Sequence, residues 1–284
     1  MKIALVGSSG YISGFIIKRL GRENEIVRID KIGETDQYLD LEKPDDFDYE
    51  ILNNTDYVIF PAAISSPDLC EKEFGMCWNI NVTGTKKFIS EAIKRNNRII
   101  FFSSDAVFGN HPDDEFDEES YTDASTAYGR MKKAIEDEFK YEKNFKAIRL
   151  SYVVSLKDKF TKYALSCIKN GEVCEVYDPF YRNCITVSDV LNCIEWLIKN
   201  WEDYDHTFLN IAGRDLIGRE DIIKELNKVF DNGIKYKVVY PGEQFYSCRP
   251  VTARMKSLYL QEFNILPDES FSEKVRKEFS KSRF

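Results

Sequence analysis

Short apolar runs alternate with amphipathic helical patterns in the first half of this chain, and this alternation limits its possible folds more than any other feature. Segments 2–6, 26–30, 57–63, 98–103 and 147–154 are apolar enough to be buried strands. Helical patterns between them occupy 12–20, 78–95 and 126–143. Buried strands joined by helices form parallel sheets that are covered on both faces. The pattern therefore predicts an α/β fold with a doubly wound parallel sheet.

Two glycines directly follow the first predicted strand. Gly7 and Gly10 precede the first predicted helix, and Ser13 replaces the third glycine of the usual pattern. Glycines let the backbone approach a pyrophosphate, and a helix N-terminus offers free N–H groups and the positive end of its dipole. We therefore predict a Rossmann-type dinucleotide site, with a merely structural turn as the alternative. Its predicted residues are Gly7, Ser9, Gly10, Tyr11 and Ile12.

Asp30 bears on the choice of cofactor. It ends the second predicted strand, twenty residues after Gly10, where an acidic side chain can hold a ribose diol. A carboxylate at this position repels a 2′-phosphate, so we expect NAD(H) to be favoured. Lys31 follows directly and can attract such a phosphate, so NADP(H) stays possible.

The second half of the chain is less regular and predicts a smaller α/β lobe. Helical patterns at 160–169, 188–200 and 222–230 accompany a strand at 235–240 and a helix after Ser270. Segment 207–212 is apolar enough to be a late strand of the main sheet. We therefore expect residues 1–153 and 185–213 to form the dinucleotide-binding domain. Residues 154–184 and 214–284 would form a substrate-binding lobe.

Ser104, Tyr128 and Lys132 form the predicted catalytic group. Tyr128 and Lys132 are four residues apart on a predicted helix, so their side chains share one face. Ser104 follows a buried strand, at the sheet edge where ligands bind in open α/β proteins. A free tyrosine has a pKa of about 10, and a neighbouring ammonium lowers it enough for proton transfer near neutral pH. Ser104 can hydrogen-bond a carbonyl oxygen on which charge develops.

Composition narrows the set of partners. The formal net charge is −8, which disfavours nucleic acid and anionic membranes as partners.

The chain has no run of 18 apolar residues and no signal-peptide pattern, so we expect a cytoplasmic protein. Seven cysteines and only two histidines indicate reduced packing cysteines and no metal site. The charged outer face of the Tyr128 helix predicts a monomer or a weak homodimer.

The motifs together resemble the extended short-chain dehydrogenase/reductases that act on nucleotide sugars, in the NAD-dependent epimerase/dehydratase superfamily. They are Gly7-x-x-Gly10, Asn81-Val82-x-Gly84-Thr85, Ser104 and Tyr128-x-x-x-Lys132. Within that group the chain is most similar to the dTDP-4-dehydrorhamnose reductases. Segments 103–108, 249–250 and 263–268 carry this likeness, which spans nearly the whole chain.

The resemblance implies roles for further residues. Asn81 would order the site, while Asp105, Tyr152 and Arg249 would face a sugar nucleotide. Arg182 resembles an epimerase arginine that meets a diphosphate, which its fork geometry suits. Cofactor contacts are implied for Asp40, Leu41, Ala62, Ala63, Ser103, Tyr128 and Lys132, and Ser104 would also contact the substrate.

One departure from the family pattern separates the possible reactions. Ala106 stands where relatives that epimerise carry a cysteine acid/base, and alanine moves no proton. The sequence therefore predicts NAD(P)H-dependent reduction of a keto-sugar nucleotide, such as an NDP-4-keto-6-deoxysugar of surface-polysaccharide biosynthesis. The alternatives are an epimerase or dehydratase that recycles bound NAD, and a non-catalytic regulatory protein of the same fold.

Overall fold

The computed structural model describes residues 1–231 and 233–280. Its strands are β1 Lys2–Val6, β2 Glu25–Asp30, β3 Gln37–Tyr38, β4 Tyr57–Phe60, β5 Arg98–Ser104, β6 Glu115–Phe116, β7 Phe145–Leu150, β8 Val153–Val154, β9 Cys174–Tyr177, β10 Tyr181–Arg182, β11 Ile185–Thr186, β12 Phe208–Ile211, β13 Ile217–Gly218, β14 Tyr236–Val239 and β15 Thr252–Met255. Its α-helices are α1 Tyr11–Leu20, α2 Pro67–Lys72, α3 Phe74–Trp78, α4 Thr85–Lys94, α5 Ala127–Phe139, α6 Lys159–Asn170, α7 Val187–Lys199, α8 Arg219–Val229, α9 Glu243–Tyr246, α10 Tyr259–Glu262 and α11 Phe271–Ser280. None of the helices in these described ranges is long and apolar enough to cross a membrane.

A seven-stranded sheet is the centre of the first half. Its strand order is β12-β7-β5-β4-β1-β2-β3, and β1 pairs in parallel with both β2 and β4. The pairs β4–β5 and β2–β3 are also parallel. The predicted α/β class with a Rossmann-type parallel sheet is confirmed. Segment 207–212, predicted as a late strand, supplies the edge strand β12.

The chain divides into two compact units. The first contains Met1–Gly109, Thr122–Arg149 and Cys193–Leu209, and the second contains Asn110–Tyr121, Leu150–Asn192 and the chain from Asn210 onward. The predicted first domain also included segments 110–121, 150–153, 185–192 and 210–213, which lie in the second unit. For segment 110–121 the reason is strand β6, which pairs in parallel with β15 of the same unit.

Each unit has its own apolar core. In the first, side chains of the parallel strands pack with helices on the sheet, and Phe60, Phe88 and Phe101 are fully or almost fully buried. In the second, a separate cluster includes Val176, Ile223 and Phe279. The second unit also holds a four-stranded sheet of order β13-β10-β15-β6 and the two-stranded sheets β11-β8 and β14-β9.

Two predicted elements differ from the observed ones. The strand predicted at 147–154 is two strands, β7 and β8, because the chain leaves the main sheet after Leu150 and Val153 pairs with Ile185 instead. The helix predicted at 78–95 exists, but a π-helical segment at Asn79–Gly84 separates α3 from α4. Such π segments are frequent at functional sites.

Candidate active site

A cavity of about 350 Å³ lies at the carboxyl ends of β1, β2 and β4 in the first unit. This volume is within the usual range for small-molecule sites. Eight of the predicted cofactor residues line it: Gly7, Ser9, Gly10, Asp30, Asp40, Leu41, Ala62 and Ala63. The remaining lining residues are Val6, Lys31, Ile32, Leu39, Pro61, Ile64 and Ile80. The sheet edge therefore gathers most of the residues that the sequence assigned to a cofactor.

The glycine turn at the base of this cavity has a geometry that needs glycine. Gly7 has φ +87°, and a Cβ placed there would lie 2.8 Å from the Cα of Ala62. Ser13, at the position of the third glycine, is fully buried, and its hydroxyl donates to the carbonyl of Gly7 at 2.7 Å. Gly10 precedes α1, and no described side chain caps this helix N-terminus. The turn thus leaves a close-approach surface and a helix dipole for a pyrophosphate, so the residues present fit a dinucleotide.

Asp30 is held rigidly at the rim of the cavity. One carboxylate oxygen accepts from the backbone N–H of Ser9 at 2.9 Å and from its hydroxyl at 2.7 Å. The other accepts from the backbone N–H groups of Lys31 and Ile32. A carboxylate has about four acceptor positions, so a ribose diol would have to exchange with one of these donors. The Ser9 hydroxyl, which can rotate, is the group best able to give way.

Lys31 is paired with acidic neighbours. Its ammonium lies 2.8 Å from a carboxylate oxygen of Asp40 and 3.1 Å from one of Glu42. Hydrogen bonds to Asp40 and Glu42 raise the pKa of Lys31 well above its ordinary value. These two carboxylates already balance the positive charge of Lys31, which would otherwise attract a 2′-phosphate.

Asn81 fixes the loop that follows β4. Its side-chain oxygen accepts from the backbone N–H of Ile64 at 2.8 Å, and its amide nitrogen donates to the carbonyl of the same residue at 2.9 Å. The amide nitrogen also lies 3.4 Å from the sulfur of Met131 on α5. Asn81 sits in the π-helical segment, so this segment ties the cavity wall to the helix that carries Tyr128 and Lys132.

Ser104 ends β5 and begins a short 3₁₀ turn. Its hydroxyl donates to a carboxylate oxygen of Asp105 at 2.9 Å and accepts from the N–H of Ala106 at 3.2 Å. The start of α5 lies directly against this turn, because a Cβ on Gly129 would be 2.3 Å from the carbonyl oxygen of Ala106. The absence of a side chain at Gly129 lets the helix bring its neighbour Tyr128 to the Ser104 segment.

Lys132 is buried on the inner face of α5. Its ammonium donates to the carbonyl of Phe102 at 2.6 Å and lies 4.5 Å from the ring centre of Phe101. The distance to the ring centre of Tyr128 is 5.7 Å. Burial lowers the pKa of Lys132 to about 7, against the opposing effects of Glu136 and Cys70.

The pKa of Tyr128 differs from the expectation. Burial, followed by the charges of Cys70 and Asp105, raises it well above the ordinary value. We expected Lys132 to lower it. Burial of the phenol outweighs the effect that was expected from the Lys132 ammonium, which lies 5.7 Å from the ring centre.

Two buried charges beside this site are not evident from the sequence pattern. The outer face of the Tyr128 helix is predicted to be charged, yet Glu136 of this helix is only 2% exposed. It forms a two-pronged ion pair with Arg149 of β7, with Nη2–Oε2 at 2.8 Å and Nε–Oε1 at 3.0 Å. Arg149 and Lys146 are the charged residues of β7, which is otherwise apolar and buried. A buried arginine needs a partner, so its position in such a strand indicates a buried residue of opposite charge.

Tyr152, expected to face a sugar nucleotide, belongs to the second unit and is only partly exposed. Its hydroxyl donates to a carboxylate oxygen of Asp158 at 2.7 Å. The guanidinium of Arg219 stacks on its ring at 4.0 Å from the ring centre. Burial raises the pKa of Tyr152 well above its usual value, so the phenol remains protonated near neutral pH.

The two arginines expected to meet the substrate both contact their own unit. Arg182 is buried and donates to the carbonyls of Tyr181 at 2.6 Å and Pro250 at 2.7 Å. Arg249 donates to the carbonyl of Phe245 at 3.2 Å and lies 4.7 Å from that ring centre. Contact with the substrate stays a prediction for both arginines. For Arg182, such contact would require its guanidinium to give up its hydrogen bonds to these backbone carbonyls.

The cysteines are buried and unbridged. This holds for Cys70, Cys77, Cys167, Cys174, Cys184, Cys193 and Cys248. Among the described residues, no group of three or more histidine, cysteine or acidic side chains has the arrangement of a metal site.

Solved structures share this fold over almost their full length. A dTDP-4-dehydrorhamnose reductase from Bacillus anthracis str. Ames, in complex with NADP, is similar with a TM-score of 0.84 and 18% identity, covering 99% of each chain. One from Yersinia enterocolitica has a TM-score of 0.83 and 20% identity, covering 98% of each chain. MoeE5 in complex with UDP-glucose and NAD has a TM-score of 0.78 and 16% identity, covering 100% of this chain and 99% of that one. No curated protein sequence matches the chain significantly.

The family assignment comes from a separate comparison with models of protein families. The model described as the RmlD substrate binding domain matches residues 1–275, which is nearly the whole chain. The predicted resemblance to dTDP-4-dehydrorhamnose reductases is therefore confirmed, as is the enzyme class, an NAD(P)-dependent oxidoreductase of the short-chain dehydrogenase/reductase type. This chain belongs to the RmlD substrate binding domain family.

Proposed function

We propose that this chain reduces the keto group of a sugar nucleotide with NAD(P)H, in the biosynthesis of sugars for surface polysaccharides. The observation that carries the proposal is the juxtaposition of Ser104, the N-terminal turn of α5 and buried Lys132, in the same unit as the dinucleotide cavity. Membership of the family over residues 1–275 supports the same reaction class.

The chemistry divides among three side chains. A bound reduced nicotinamide would supply the hydride. Ser104 donates a hydrogen bond to the substrate carbonyl, which replaces its present bond to Asp105. Tyr128, which the raised pKa keeps protonated, gives its proton to the oxygen that becomes negative. Lys132 lies 5.7 Å from the Tyr128 ring centre and stabilises the phenolate that remains.

NADH is the proposed preferred cofactor. Asp30 is hydrogen-bonded at the rim of the cavity, and Lys31, which lines the same cavity, is already balanced by Asp40 and Glu42. A 2′-phosphate would therefore meet a carboxylate without a free counter-charge. The solved relatives include both types of complex, with NADP and with NAD, so each nucleotide has to be measured.

For the substrate, we propose contacts from Ser104, Asp105, Tyr152 and Arg249, with Arg182 as a further contact. The proposed role of Asp105 is supported by its hydrogen bond with Ser104, the residue that we propose binds the reacting carbonyl. The proposed role of Tyr152 is supported by its protonated hydroxyl, which can donate a hydrogen bond to the substrate and now donates to Asp158.

The test is a screen for NADH oxidation with keto-sugar nucleotides, preceded by mass spectrometry of any copurified cofactor. We expect stoichiometric NADH consumption with at least one such substrate, and none with unactivated keto sugars. A chain that binds nucleotide yet turns over none of these substrates would point to the regulatory alternative.

Epimerisation is separated from simple reduction by heavy water. Epimerising a carbon beside a ketone needs an acid and a base on opposite faces of that carbon. Ala106 supplies neither, and its carbonyl packs against Gly129. We therefore expect no deuterium at the carbons beside the former ketone when the product is examined by NMR. Enzyme-dependent deuterium there would favour the epimerase alternative.

A further inference from the structure

A buried charge network lies directly behind the catalytic group of the first unit. Glu136 is one helical turn after Lys132 on α5, and its carboxylate binds Arg149 through three contacts of 2.8 to 3.2 Å. The hydroxyl of Ser103 donates to the same carboxylate at 2.5 Å. Glu136 and Arg149 are each 2% exposed, so this is a fully desolvated ion pair.

Two hydrogen bonds cross from α5 to the end of β5. Lys132 donates to the carbonyl of Phe102, and Ser103 donates to Glu136. Phe102 and Ser103 immediately precede Ser104, so the two bonds fix the position of Ser104 along the helix that carries Tyr128. Adjacent strand residues point to opposite faces, which explains why Ser103 turns to the helix while Ser104 is left for the substrate.

Arg149 holds the network in place from the neighbouring strand. Its guanidinium lies 4.1 Å from the ring centre of Phe208 and 5.0 Å from that of Phe108. Its Nη1 nitrogen is buried and has no hydrogen-bond partner among residues 1–231 and 233–280. The guanidinium thus contacts Glu136 and two aromatic rings, so the desolvated carboxylate has a partner of opposite charge in the core.

We propose that Glu136 is a positioning residue for the reaction, which keeps Lys132 charged and holds Ser104 in register with Tyr128. The groups that face Lys132 are Tyr128 and Glu136 on its own helix, the Phe102 carbonyl and Phe101 ring on β5, and Cys70 on α2. Arg149 faces it from β7 across Glu136, and Asp105 acts on Tyr128.

Burial and the Glu136 carboxylate change the pKa of Lys132 in opposite directions. Burial lowers its pKa to about 7, and the Glu136 carboxylate is the largest effect that opposes burial. Loss of this charge would leave Lys132 mostly neutral at pH 7, and Arg149 unpaired beside it. This inference depends on the proposed function only in assigning Lys132 to catalysis.

The experiment measures the charge state of Lys132 without substrate. Lysine side-chain nitrogens are labelled with ¹⁵N and titrated by NMR in the full chain, with Lys132→Met assigning the signal. Glu136→Gln should lower the pKa of Lys132 by at least about 1, within the range for loss of a nearby opposite charge. Asp137→Asn is the matched control, because it removes the same charge from the exposed face of α5, where Asp137 pairs with Lys133.

A second variant covers the risk that Glu136→Gln does not fold. Glu136→Gln combined with Arg149→Met removes both buried charges, a replacement that proteins often tolerate. The pKa of Lys132 in this double variant should stay below that of wild type, because Glu136 raises this pKa and Arg149 has no comparable effect on it. An unchanged Lys132 pKa in whichever variant folds, or a change no larger than in Asp137→Asn, overturns the proposal.

Kinetics then connect the network to turnover. In Glu136→Gln the high-pH limb of kcat should move to lower pH by the same amount as the Lys132 pKa, with little change in KM. Glu136→Asp, which restores the charge, should recover most of the activity. Equal loss at every pH with no movement of the limb overturns the proposal. A wild type that reduces no keto-sugar nucleotide contradicts the proposed function instead, and the NMR titration still decides the role of Glu136.

Discussion

Lys31 and Lys132 stand in the same unit and have opposite surroundings. Lys31 is exposed between Asp40 and Glu42, which raise its pKa, whereas Lys132 is 3% exposed and burial lowers its pKa to about 7. Solvent screens the first cluster, so its charges can change with little effect on folding. The second is desolvated, so its proton is sensitive to each neighbouring charge. The comparison separates a region suited to nucleotide choice from a region suited to proton transfer.

The largest effect is expected at Tyr128, inside the buried region. Tyr128→Phe removes the proton donor and keeps the ring, so turnover should fall at least ~100-fold, as for loss of a general acid. NADH affinity, measured by fluorescence titration, should barely change because the substitution removes one hydroxyl group and leaves the residues that line the cavity intact. Near-normal turnover in the variant contradicts the assigned role.

The pH dependence of stability should report the lowered pKa of Lys132. Its pKa is about 7 in the folded chain against an ordinary value of 10.5, so between these values the unfolded chain binds more protons. Stability contributed by this site therefore rises with pH in that window, by up to about 1.4 kcal/mol per pH unit. Urea unfolding of wild type and Lys132→Met at pH 7 to 10 measures the difference. If the unfolding free energies of the two proteins change in parallel with pH, Lys132 keeps an ordinary pKa.

A smaller effect is expected at Asp30, in the exposed region. Asp30→Ala removes the carboxylate that we propose faces the ribose. The preference of the enzyme for NADH over NADPH should then fall by about 10-fold, a loss of about 1.4 kcal/mol. The ratio of kcat/KM for the two nucleotides gives the answer. A wild type that prefers NADPH would show that Asp30 does not select the nucleotide.

The smallest effect is expected at Lys31. A lysine whose pKa is raised by folding contributes stability that is fully present below its ordinary pKa of 10.5. The unfolding free energies of Lys31→Met and wild type should therefore change in parallel from pH 7 to 10. Its NADPH affinity should fall little, because Asp40 and Glu42 already balance the charge. A large loss of NADPH affinity would instead make Lys31 the phosphate ligand and weaken the contrast between the two regions.

The sequence predicted the first unit better than the second, for a physical reason. Parallel strands buried on both faces are continuous apolar runs, and the glycine turn and the Tyr128–Lys132 spacing are local signals. The positions of Tyr152, Arg182 and Arg249 depend on contacts between distant segments, such as Arg182 with Pro250. Hydrophobic periodicity also misplaced Glu136, because a buried charge looks like a surface charge until its partner is known.

The contact between Gly129 and the carbonyl of Ala106 limits how this enzyme can be altered. A single methyl group at Gly129 would require the start of α5 to move away from the Ser104 turn, since its Cβ would lie 2.3 Å from that oxygen. The spacing between Tyr128, the proposed proton donor, and the Ser104 turn is therefore fixed by backbone contact and has almost no tolerance for substitution at Gly129. Directed evolution toward other keto-sugars should accumulate its successful changes away from this contact, and a library randomised at Gly129 should return almost only glycine.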